Sequence, residues 1–124
     1  MTRFLLPALA LAAFALPTLA HAGDAAAGKA TYETNCSSCH GATGKGDGPV
    51  GAALPPQMKP RDFSVGEFKF DTDGDGETGT DADIKNVLAN GGAKYGGNPL
   101  MAPWPQIQGD DLDNIIAYVR SLKQ

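Results

Sequence analysis

Cys36-Ser37-Ser38-Cys39-His40-Gly41 holds both cysteines of the chain and one of its two histidines. Four chemistries compete for that hexapeptide. A disulfide between Cys36 and Cys39 closes a very small loop and leaves His40 without a part. A structural zinc site needs four ligands, and the cluster offers three with no second Cys or His pair elsewhere. A thioredoxin-like redox pair belongs in a βαβ setting, and the chain shows no strand alternation. The fourth accounts for all three side chains. Two thiols three positions apart at a helix end can each add to a vinyl group on one edge of a haem, which sets His40 beneath the iron as proximal ligand. The cofactor expected is one haem c, attached through Cys36 and Cys39.

Upstream, residues 1–22 have the pattern of a secretory signal peptide. Arg3 supplies a positive start, residues 4–16 are apolar apart from Pro7, Pro17 follows, and Ala20-His21-Ala22 makes a small-residue cleavage site. The apolar run is too short for a membrane span. The expected mature chain is a single domain over residues 23–124, exported to the periplasm and not inserted in the membrane, with His40 its sole histidine. Without Arg3 the basic residues number one fewer than the 10 of the full chain, against 14 acids, so the formal charge is one unit more negative than −4. Such a surface argues against nucleic acid as a partner. With 16 glycines and 9 prolines in so short a chain, the aliphatic core is modest, and small domains of that kind lean on a metal, disulfides or a cofactor.

The pattern downstream is helical. Residues 24–39 are alanine-rich and predict a helix, and residues 41–60 predict a long Gly- and Pro-rich loop. Thr80 is a plausible N-cap for a short helix with Ile84, Val87 and Leu88 on one face, stopped by Gly91-Gly92. Residues 91–108 predict a second long loop holding Met101, Pro103, Trp104 and Pro105. The last helix spans about residues 110–122, with Leu112, Ile115, Ile116, Val119 and Leu122 at helical spacing and acids in its first turn. The fold class is all-α, roughly three to four short helices with long loops. Asp71, Asp73, Asp75 and Gly76 imitate the start of a calcium loop, but position 12 is Ala82 and no helix precedes it. A solvated acidic turn is therefore expected.

These residues together resemble a class I c-type cytochrome of the small periplasmic mono-haem type. The likeness covers essentially all of residues 23–124. Besides Cys36, Cys39 and His40 it rests on Gly28 and Tyr32, Gly46-Asp47-Gly48-Pro49, Pro60-Arg61-Asp62-Phe63, Met101-Ala102-Pro103-Trp104, and Ala117 to Leu122. The resemblance implies crossed terminal helices, with Gly28 allowing close approach and Tyr32 near Tyr118. For the sixth iron position the residues themselves leave Met58 and Met101, since no histidine remains. The resemblance implies Met101, although the family's usual Met-Pro pair is here spread over Met101-Ala102-Pro103. It also implies that His40 donates its free ring N–H to the Pro49 carbonyl. Trp104 and Arg61 are candidates to hold the haem propionates, against plain packing for Trp104 and a solvated charge for Arg61. The function implied is transfer of single electrons between protein redox partners, by a carrier that is not itself an enzyme. The alternatives are a haem subunit docked on an oxidoreductase and a haem enzyme such as a peroxidase. The chain is expected as a monomer or as such a subunit.

Overall fold

The computed structural model describes residues 22–124. The signal-peptide expectation falls on residues 1–22 and so lies outside the described residues, Ala22 excepted. The first helix, α1 (Ala25–Asn35), starts where Asp24 accepts the backbone N–H groups of Ala26 and Ala27 at 2.8 and 3.3 Å, the usual remedy for orphan donors at a helix start. It stops earlier than the sequence suggests. Thr34, Asn35 and Ser37 turn their side chains back onto the carbonyls of Ala30, Thr31 and Glu33, bonding that bends and ends helices. The chain kinks at Cys36 (φ −118°) and resumes as one turn, α2 (Ser37–His40), closed by Gly41 at φ +80°.

The loop expected over residues 41–60 contains a helix of its own, α3 (Pro49–Ala53), followed by a 3-10 turn at Pro56–Met58. Pro49 sits at its first position, where the ring fixes φ in the helical range and its missing N–H costs nothing. The proline that reads as a loop signal in sequence is here a helix start. After a second 3-10 turn, Phe63–Val65, comes α4 (Asp81–Asn90), capped by Thr80 and closed by Gly91 as the sequence suggests. A third 3-10 turn, Ala93–Tyr95, precedes α5 (Gly109–Ser121). Five α-helices and no strand occur among the described residues.

Helices α1 and α5 cross at Gly28. A Cβ there would collide with the Asn114 carbonyl and stand 2.8 Å from the Ile115 nitrogen, so only glycine lets the two backbones meet this closely. Next to the crossing, the Tyr32 and Tyr118 rings pack at 5.0 Å with a 59° tilt. The Asn114 side chain also accepts the Asp24 N–H at 2.7 Å. Tyr32, Ile115, Ile116 and Val119 form the core with Leu88 of α4 and Ile107 of the last loop. Lys85 and Asp113 pair across α4 and α5 at 2.6 Å. Arg120 reaches from α5 to Asp81 and to the Gly79 carbonyl, both at 2.7 Å, with its guanidinium over the Phe68 ring. Such exposed pairs add little stability each; their effect is to hold the acidic loop and α4 against the terminal helix. The aliphatic core is thin, and beside it lies a large cavity.

Candidate functional site

The cavity has a volume of about 510 Å³ and opens among α1, α2, α4, α5 and the two long loops, within the range of small-molecule and cofactor pockets. Its wall includes Cys36, Cys39, His40, Arg61, Met101 and Trp104, so six of the seven residues singled out from sequence converge on one space. The seventh, Pro49, does not. It heads α3 and borders a shallow depression on the far side of Gly41.

The cysteine-histidine segment reaches the cavity because α2 is a single turn pinned to α1. The Cys36 N–H bonds the Tyr32 carbonyl at 2.8 Å, and the His40 N–H bonds the Cys36 carbonyl at 2.9 Å. Both thiols are unpaired. Burial, and to a lesser degree the neighbouring Cys39, pushes the Cys36 thiol up to about 11. A dithiol redox pair needs a lowered thiol pKa, so the pocket is wrong for that chemistry. The His40 ring lies nearly parallel to Phe63, with centroids 4.5 Å apart. Burial pulls its imidazole below the ordinary value, partly offset by the Arg61 backbone. The neutral ring that results is the form that binds a metal. Its Nδ1 is sealed from solvent and has no hydrogen-bond partner among the described residues, and a buried polar atom left so is rare without a missing partner. The expected bond from His40 to the Pro49 carbonyl is therefore not formed at Nδ1. The ring rests on Phe63 instead. Two thiols, a neutral imidazole with an orphaned nitrogen and an apolar wall fit a haem.

Met58 and Met101, the methionines of the described residues, both line this cavity, so reach alone does not separate them. Packing does. Met101 packs against the buried core; its carbonyl accepts the Gly92 N–H at 2.8 Å and its own N–H bonds the Asn98 carbonyl at 3.1 Å. Three residues on, the Trp104 N–H bonds the Leu88 carbonyl at 2.6 Å. The Met101 loop is thus strapped along the end of α4. Met58, half-buried like Met101, ends a 3-10 turn that does not pack on that core, and is joined to the Met101 loop by Asn98, which donates to the Met58 carbonyl at 2.7 Å. Arg61 is held by Glu67, its Nε donating to the Glu67 carbonyl at 2.6 Å with the carboxylate 3.5 Å away.

The family model for cytochrome c matches residues 25–123. The chain belongs to the cytochrome c family. Cytochrome c-554(547) of Halothiobacillus neapolitanus is 32% identical over 103 residues, covering 82% of this chain and 100% of the relative. A solved chain of the reducing HAO-like protein complex of Kuenenia stuttgartiensis superposes with a TM-score of 0.66 at 29% identity. That match covers 83% of this chain and 44% of the other, so this cytochrome c spans less than half of it. Membership implies covalently bound haem c and electron transfer, and the five-helix arrangement is that of the class I fold.

Three features of this cytochrome c were not read from its sequence. Phe63 stacks on His40. The Tyr32 hydroxyl, fully buried, donates to the Gly41 carbonyl at 2.7 Å and so holds the residue directly after His40. Asp83 is 1% exposed and stands in the cavity wall. The pattern Thr80-x-x-Asp83 signalled helix capping, but nothing local signalled burial. The acidic turn differs in one respect from expectation. Position 12, Ala82, offers no ligand, yet Asp83 beside it brings a carboxylate oxygen within 4.8 Å of those of Asp71 and Asp73. Oxygens of Asp71 and Asp83 already accept N–H groups of the turn, from Gly74, Gly76, Thr72 and Thr80.

Proposed function

We propose that this cytochrome c is a periplasmic electron carrier with a single haem c, tethered through Cys36 and Cys39 and ligated by His40 and Met101. The observation that carries the proposal is the convergence of those four side chains on one apolar cavity, where the buried Nδ1 of His40 has no partner. The bound haem would supply the one-electron iron couple. The chain's residues do the rest. The thioether of Met101 is a soft neutral ligand that favours ferrous iron and raises the potential. Strapping of its loop to α4 limits how far that ligand can move. Phe63, Phe68, Leu88 and Ile115 line the cavity and would keep water from a bound haem. Trp104, which lines the wall, would hold a propionate, while Arg61 would have to share its guanidinium with Glu67. The mature domain is residues 23–124, released after Ala22, and the family's usual site of action outside the cytoplasm supports that processing.

Peroxidase-type catalysis would need a labile sixth ligand and a distal acid or base. His40 is the one histidine outside the signal segment, so the carrier role is favoured. A second role has one observation behind it. The structural neighbour belongs to a multi-protein complex, which supports a haem subunit docked on an oxidoreductase. Protein redox partners are required in both. The deciding experiment is expression with export and haem maturation, followed by intact mass under denaturing conditions. One haem added to a chain beginning at Gly23 is expected. A chain without haem, or one retaining its first 22 residues, would sink the proposal, and co-elution with a large partner from the native periplasm would favour the subunit role.

A further inference from the structure

We propose that the buried side chain of Asp83, set in the wall of the cavity, is a fixed negative charge that lowers the reduction potential of the iron held there. This rests on the haem assignment above. The carboxylate is 1% exposed and accepts four hydrogen bonds from neutral donors. The Thr72 N–H and hydroxyl reach Oδ1 at 2.5 and 2.7 Å, and those of Thr80 reach Oδ2 at 2.9 and 2.8 Å. Such donors keep the group ionised without cancelling its charge. Chiefly through the Thr72 N–H, they hold its carboxyl well below the usual carboxylate range.

Among the described residues no cation pairs with it, and the neighbouring Arg120 is spent on Asp81 and the Gly79 carbonyl. The carboxylates of Asp71 and Asp73 approach from the solvent side and add charge of the same sign. A helix-capping role explains Oδ2 alone and needs no burial. Shielded from direct contact with water, the anion acts on the cavity more strongly than a solvated one would. Ferric haem carries one positive charge more than ferrous, so the anion favours the ferric form.

The test is the potential of the haem-loaded Asp83→Asn variant by spectroelectrochemistry at neutral pH, in chelator so that no cation gathers at the acidic turn. Loss of the charge should raise the ferrous-to-ferric ratio at fixed ambient potential by several-fold to about tenfold, tenfold being about 59 mV for a one-electron couple. A purely structural role predicts the opposite sign, because a loosened wall admits water and favours ferric iron. A potential that falls or stays put in Asp83→Asn therefore overturns the proposal. Thr72→Ala keeps the charge and removes one donor, so its potential should fall. If Asp83→Asn does not fold, a rise or no change in Thr72→Ala overturns the proposal instead. Absence of covalent haem from the unmutated protein would strike the haem assignment itself, which separates the two failures.

Discussion

Replacing Tyr32 by Phe removes one oxygen from a fully buried side chain and leaves the ring packed on Tyr118. The lost hydrogen bond runs from the hydroxyl to the Gly41 carbonyl at 2.7 Å. Stranding a buried acceptor costs about 1–3 kcal/mol. Here the Gly41 carbonyl keeps a second, longer bond from the Gly44 N–H at 3.2 Å, so the loss belongs at the lower end, about 1–1.5 kcal/mol. For a domain of about 100 residues that lowers Tm by roughly 5–10 °C. The pH dependence gives a second handle. Burial above all pushes the Tyr32 phenol well above its ordinary value, and the neighbouring Tyr118 and Asp47 add to it in the haem-loaded protein, where Cys36 is a thioether. Below about pH 10 the phenol is protonated in both folded and unfolded chains, and the native contribution is complete. Above that pH the unfolded chain gives up this proton while the folded one retains it, so stability falls as pH rises. Tyr32→Phe lacks that term. The gap between the two proteins should therefore be widest near neutrality and close above about pH 10. Thermal melts of both haem-loaded proteins, followed by far-UV circular dichroism at pH 7 and above pH 10, measure it. Equal Tm values at pH 7, or a gap that does not narrow in alkali, would refute the role given to this hydroxyl.

Met101→Ala should lower the reduction potential and open the iron to carbon monoxide and cyanide, whereas Met58→Ala should do neither; a Met101 variant that keeps its potential and stays closed means another ligand. Cys36→Ala combined with Cys39→Ala should leave a largely disordered chain, because the thin core of Tyr32, Leu88, Ile107, Ile115, Ile116 and Val119 lacks the apolar surface a haem would bury, and a cooperative melt with native helical signal would contradict this. Gly28→Ala should destabilise by about 1–3 kcal/mol despite alanine's better helix propensity, since its methyl would meet the Asn114 backbone; a denaturant midpoint equal to or above that of the unmutated protein would show that the helices can part cheaply.

The sequence alone determines what depends on a few neighbouring residues. Cys36, Cys39 and His40, the proposed tethers and ligand, make a chemical unit within five positions, because Cys36 caps the one-turn helix that carries the other two. The stripe from Leu112 to Leu122, the Thr80 cap and the Gly91 stop were legible for the same reason, being rules of local period and hydrogen bonding. Pro49 shows the limit of local rules, since proline opens a helix as readily as it marks a loop. The other features depend on partners far away along the chain. That Gly28 must be glycine follows from Asn114, and Tyr32 acquires a role only because Gly41 folds back onto it. Met58 and Met101 both reach the cavity, and only the strapping of one loop to α4 sets them apart. Asp83 looks like an ordinary capping acid until Thr72 and the surrounding wall close over it. Burial and charge compensation are sums over everything packed around a group, and no short stretch of sequence contains that sum.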